Sequence, residues 1–139
     1  MTEQNCIFCK IAAGEIPSAT VYEDTSFRVI MDISPASKGH AIILPKNHAA
    51  NVFELSEEDA SKVFVIAKRV ATAMKDVLQC EGINILQNNG EIAGQTVFHF
   101  HMHLIPRYQG DSVTIKWAHK EKYEEDFAAL ASAIKTRIQ

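Results

Sequence analysis

Apolar residues recur every three or four positions through LSEEDASKVFVIAKRVATAMKDVLQCEG. Ala60, Val63, Phe64, Ala67, Val70, Ala71, Met74, Val77 and Leu78 fall on one side of a helix. Ser56 stands before it as an N-cap, with Asp59 three residues on in the capping-box position, and Gly82 supplies a stop. Elsewhere the period is two. In TVYEDTSFRVIMD, Phe27, Val29 and Met31 alternate with Arg28, Ile30 and Asp32 around a polar EDTS turn, the pattern of a hairpin. HAIILP is a buried strand ended by Pro45, and SPASKG before it is a loop. INILQ and VFHFHMHLI are two further strands that pair antiparallel across the loop NNGEIAGQT. CIFCKIAAGEIPS is a short helical turn closed by Gly14 and stopped by Pro17. Tyr123, Phe127, Leu130, Ile134 and Ile138 mark a C-terminal amphipathic helix. Strands precede and follow one long helix without βαβ alternation. This predicts an α+β domain with an antiparallel sheet, one long helix and a C-terminal helix, spanning residues 1–139 as a single unit.

Composition narrows the function classes. Hydrophobic residues make up 47% of the chain, enough for a core without a disulfide framework, and the three cysteines are an odd number. The formal net charge is −3 with no basic cluster, so no phosphate-backbone footprint is expected and nucleic acid is not an expected partner. The start, MTEQNCIFCK, lacks a basic region followed by an apolar run, and no stretch approaches the roughly 18 apolar residues of a membrane span. The expected location is the cytoplasm, away from any membrane.

The stretch HFHMHLIPR carries the chemistry. His99, His101 and His103 alternate with Phe98, Phe100, Met102 and Leu104, so on a strand one face is imidazole and the other apolar. Such a face can bind a metal, lie against a phosphate, or simply be solvated. Neutral imidazole is also a fair nucleophile near neutral pH, given an unperturbed pKa of about 6.5. The preceding loop favours phosphate: Gly90 and Gly94 allow close backbone approach, and Asn88, Gln95 and Thr96 offer hydrogen-bonding groups. Cys6 and Cys9 form a C-x-x-C pair that can bind zinc, cycle as a dithiol, or do neither. The βαβ setting of a redox dithiol is missing, and zinc needs two more ligands.

HFHMHLI is similar to the histidine-triad signature, in which three histidines alternate with apolar residues. CIFCKIAAGEIPS, VIMDISPASKGHAIILPKNH, NNG and GQTVFHFHMHLIPR resemble segments of that superfamily in order, in its Hint-like nucleotide-binding branch. The resemblance weakens after about Asp111. It implies a HIT-like fold and a hydrolase or transferase acting at the α-phosphate of nucleoside 5′-phosphate derivatives, purine nucleoside phosphoramidates or adenylates. It further implies His101 as the nucleophile that carries a nucleotidyl group, and His103 as the contact to phosphate or the bridging atom, with His40 close to the cluster. Asn88, Gln95 and Thr96 match positions that hold phosphate oxygens. Asp32 matches a carboxylate on the ribose hydroxyls, with Ile30 and Ile33 beside the base. Read without the family, Asp32 is equally a turn residue before Ser34 and Pro35. The same resemblance gathers Cys6, Cys9, His48 and His99 into a structural zinc site; four protein ligands leave no open position, so the chemistry needs no metal. It implies a homodimer with the sheets joined. Two rival readings are a dinucleoside polyphosphate hydrolase and a nucleotide-binding regulatory protein with little turnover; the intact middle histidine favours catalysis.

Overall fold

A computed structural model describes residues 3–120 and 126–138. In chain order the elements are α1 (Ile7–Ala13), β1 (Thr20–Glu23), β2 (Phe27–Met31), β3 (Ala41–Pro45), α2 (Glu57–Leu78), β4 (Gly82–Leu86), β5 (Met102–Arg107) and α3 (Phe127–Lys135), with a 3₁₀ turn at Glu91–Ala93. The strands form one sheet in the order β1-β2-β3-β5-β4, and every neighbouring pair is antiparallel. The expected α+β architecture is therefore present. No helix among the described residues is long and apolar enough to cross a membrane.

Why β2 and β3 are apolar on both faces follows from what covers the sheet. On one side the stripe Val63, Ile66, Ala67, Val70 and Met74 of α2 packs against Phe27, Val29, Ile43, Met102 and Leu104. On the other, Ala12 of α1, with Phe8 and Ile11, packs against Ile30, Ile42 and Leu44. Each fully buried aliphatic side chain of this kind contributes about 1.5–3 kcal/mol by leaving water. The buried stripe of α2 is narrower than its apolar pattern: Phe64 is 60% exposed and Val77 80% exposed.

Local signals set the element ends. The Ser56 side chain accepts the Asp59 N–H at 3.1 Å, capping α2 as expected. In the β1–β2 turn, Asp24 Oδ1 accepts the N–H groups of Ser26 and Phe27 at 2.8 and 2.7 Å. Gly14 closes α1 in the left-handed region (φ 83°), its N–H returning to Lys10 and Ile11 carbonyls. Two expectations need correction. Gly82 does not end α2: Gln79 takes the left-handed cap (φ 53°), because Gly82 already opens β4 opposite Arg107. The histidine strand begins only at Met102. Upstream, the Phe100 N–H bonds the Ala49 carbonyl at 2.6 Å, so residues 99–101 follow the chain beyond β3 instead of its ladder. The alternation survives this, since Phe100, Met102 and Leu104 enter the α2-side core while His99, His101 and His103 lie outside that cluster. The C-terminal helix is present as α3, capped by Asp126; Phe127, Leu130, Ile134 and Ile138 are all at least half exposed, and Tyr123 lies outside the described residues.

Candidate active site and metal cluster

Five of the six histidines divide into two neighbouring groups once the sheet forms, with His119 beside Trp117 outside both. In the first group, the Sγ of Cys6 and Cys9 and the Nδ1 of His48 and His99 lie within 4.8 Å of one another. Cys6 and Cys9 come from the start of α1, His48 from beyond β3, and His99 from the segment entering β5. Three Sγ···Nδ1 separations are 3.4 Å. A tetrahedral zinc with bonds of about 2.3 Å to sulfur and 2.0–2.1 Å to nitrogen gives edges of about 3.5–3.6 Å. The outer atoms agree. His99 Nε2 donates to the Pro45 carbonyl at 2.9 Å and His48 Nε2 donates to Glu3 at 2.8 Å, so both rings turn Nδ1 lone pairs inward. Backbone N–H groups of Cys9 and Glu3 point at the sulfurs of Cys6 and Cys9 respectively, each at 3.4 Å. Burial pushes the Cys9 thiol pKa up and holds His99 neutral, at about 4. The donor set and its geometry fit a four-coordinate metal.

The second group is His101, His103, His40 and Asp32. His101 Nδ1 lies 2.7 Å from the backbone carbonyl of His99. A carbonyl only accepts, so the ring proton is on Nδ1 and Nε2 keeps its lone pair. Two edge-on rings flank His101: His103 at 4.9 Å and Phe8 at 5.0 Å between centroids. His103 Nδ1 is 2.9 Å from His40 Nε2, and His40 Nδ1 accepts the Ala36 N–H at 2.9 Å. The Asp32 carboxylate approaches His40 Nε2 at 3.6 Å and accepts the Ser34 N–H at 2.8 Å. Burial of the rings lowers the pKa of His101 and His40 and brings His103 to about 4, in His103 aided by repulsion from its histidine neighbours. Asp32, His40 and His103 also lie within metal-ligating distance of each other. The Ala36 bond argues against a metal there, because it leaves the ring proton on the His40 nitrogen that would have to ligate.

The remaining expected residues are placed as follows. Ile30 is buried beneath α1, whereas Ile33 is 98% exposed beyond Asp32. Gln95 is buried and braces the glycine loop: it accepts the Gly90 N–H at 2.8 Å and donates to the carbonyls of Ala50 and Val97 at 2.6 and 3.1 Å. Asn88 donates weakly to Gly94 at 3.5 Å, and Thr96 is exposed, lining a shallow cavity with Cys6 and His48. Pattern reading missed Glu3, Phe8, the Pro45 and His99 carbonyls and the Ala36 N–H. Backbone groups carry no residue-type signal, and nothing in the spacing of Glu3 points to His48.

A family model described as HIT domain matches residues 13–110. The chain is 38% identical over 136 residues to adenosine 5′-monophosphoramidase hnt1 of Schizosaccharomyces pombe, covering 97% of this chain and 99% of that one. The crystal structure of a HIT family member from Bacillus subtilis aligns with a TM-score of 0.91 at 45% identity, over 98% of this chain and 99% of that chain. A Zn-bound histidine triad family protein from Mycobacterium smegmatis aligns with a TM-score of 0.75 at 34% identity, over 96% and 98%.

Proposed function

Since this chain belongs to the HIT domain family, we propose that it hydrolyses nucleoside 5′-phosphate derivatives at the α-phosphate, a purine nucleoside phosphoramidate or related adenylate being the substrate class. The observation that carries this reading is the 2.7 Å bond between His101 Nδ1 and the His99 carbonyl. Burial keeps the ring neutral, and this bond places its single proton on Nδ1 and leaves the Nε2 lone pair available; the same carbonyl stabilises the positive ring once Nε2 bonds to phosphorus. His101 Nε2 attacks the α-phosphorus, and the bond to the leaving atom breaks with its electron pair going to that atom. Water then displaces the nucleotide from His101. His103 donates to a phosphoryl oxygen or the bridging atom, with His40 behind it. Asp32 accepts from the ribose hydroxyls, and the base lies near Ile30 and Ile33. Asn88 and Thr96 line the phosphate side, on a loop that Gln95 holds in shape.

In this reading Cys6, Cys9, His48 and His99 hold a zinc ion, whose binding ties α1 to the segment that carries the nucleophile. The chain acts as a homodimer in the cytoplasm. Intact-mass spectrometry of protein quenched during turnover of adenosine 5′-monophosphoramidate tests the reaction. Wild type should carry one adenylyl group, mapped to His101, and His101→Ala should carry none and lose at least about a thousandfold in rate. Retention of more than about a tenth of the rate, or an adduct on another residue, overturns the assignment.

A further inference from the structure

We infer that Ser37 and Tyr108 are positioning residues that lock the His40–His103 pair into one neutral tautomer, so that His103 meets the substrate as an Nε2–H hydrogen-bond donor and not as a protonated acid. This rests on the nucleotidyl-transfer reading above. The chain of protons starts at a backbone amide. An N–H donor can be met only by a lone pair, so the 2.9 Å bond from Ala36 N–H to His40 Nδ1 leaves the His40 proton on Nε2. That proton fills the 2.9 Å gap to His103 Nδ1, which therefore presents a lone pair and keeps its own proton on Nε2. Adding a proton to His103 Nδ1 would set two N–H groups face to face, or move the His40 proton to Nδ1 and break the Ala36 bond. Of the groups facing the pair, the Asp32 carboxylate, 3.6 Å from His40 Nε2, favours an added proton, and the His101 ring beside His103 opposes it.

The restraint works only if the Ala36 amide stays in place, and its surroundings are unpromising. Ile33, Ser34, Pro35, Ala36 and Lys38 are all exposed. Two side-chain hydroxyls hold this loop. Ser37 Oγ donates to the Pro106 carbonyl at 2.6 Å, and Tyr108 Oη donates to the Lys38 carbonyl at 2.7 Å. Both anchors lie at the end of β5, the strand that carries His103, while the loop carries His40. The His40 N–H also returns to the Ser37 carbonyl at 3.1 Å. Gly39, at φ 91°, passes so close to Leu78 that a Cβ there would collide with that side chain. The loop is thus fastened to the end of the strand at two points, both before His40 in the loop and after His103 in the strand. A donor set this way contributes by meeting charge that develops on phosphoryl or bridging oxygen and nitrogen without giving up its proton. When a P–N bond breaks, its electron pair leaves on nitrogen and the proton that nitrogen needs comes from water.

Ser37→Ala, Tyr108→Phe and the double variant test the inference in the full chain. Long-range proton–nitrogen spectra of protein labelled with ¹⁵N-histidine read the tautomers, and steady-state kinetics on adenosine 5′-monophosphoramidate read the consequence. In wild type at pH 7, His40 and His103 should each carry a single proton, on Nε2. The double variant should show mixed tautomers at both rings, an unchanged His101, kcat lowered about tenfold and KM within about twofold. Each single variant should show part of this change, and Ser37→Thr, which keeps the hydroxyl, should restore wild-type values. Wild-type tautomers and kcat in the double variant overturn the inference, as does a charged or Nδ1-protonated His103 in wild type at pH 7. The underlying reading fails differently: it falls if no adenylyl group forms on His101 during turnover, whatever the loop variants do.

Discussion

Cys9→Ser is the sharpest test of the metal cluster. A metal held there would close long stretches of chain: Cys9 to His48 spans 39 positions and Cys9 to His99 spans 90. In the chain-entropy model, closing a loop of about 40 residues withdraws about 4 kcal/mol from the unfolded ensemble. At about 3 °C per kcal/mol for a chain of this size, losing that one closure lowers Tm by about 12 °C, and losing the ion entirely lowers it further. The substitution also places a hydroxyl where Cys9 is 2% exposed, costing about 1–2 kcal/mol independently of any metal. A strong chelator separates the two effects. Added to wild type it should remove zinc and reproduce most of the fall in Tm, while Cys9→Ser should be indifferent to both chelator and zinc. Metal analysis of protein purified without added zinc should find close to one ion per wild-type chain and almost none in the variant. Turnover by Cys9→Ser should persist at low temperature, since the His101–His99 carbonyl bond does not involve Cys9. A wild type without metal, melting identically with and without chelator, would refute the reasoning.

Two further predictions bear on the second group of residues. Asp32→Asn should weaken nucleotide binding by about 1–3 kcal/mol, because a charged acceptor makes the stronger hydrogen bonds; equal affinity of wild type for AMP and its 2′-deoxy analogue, by calorimetry, would remove the ribose role. Stability should fall as pH drops below about 6.5, because the unfolded chain then binds a proton that buried His103, with a pKa of about 4, does not. The loss runs from 6.5 down to about 4 and reaches at most about 2 kcal/mol by pH 5, above the range where most carboxylates contribute. His103→Gln should lose less than wild type between pH 7 and pH 5 in denaturant titrations, and an equal loss would exclude His103 as a source.

Sequence pattern reached the elements because each is specified locally. Ser56 caps its helix with its own side chain, Asp24 builds its own turn, and Phe27, Val29, Ile43, Val63 and Val70 enter the core their spacing predicts. It reached the identity of Cys6, Cys9, His48 and His99 as a set through a family likeness alone, since 93 positions separate Cys6 from His99 and no local rule relates them. The pattern was misleading where one element's end depends on another's register. Gln79 caps α2 because β4 must already pair at Gly82, and β5 starts late because residues 99–101 bond to the chain beyond β3. Residue types could name histidines but could not give them protons. Whether a ring offers a lone pair or an N–H depends on which partner each nitrogen meets, and those partners are the carbonyls of His99 and Pro45 and the amide of Ala36. Every residue carries such groups, so only the packing of β3, β5 and their flanking loops decides which of them a histidine finds.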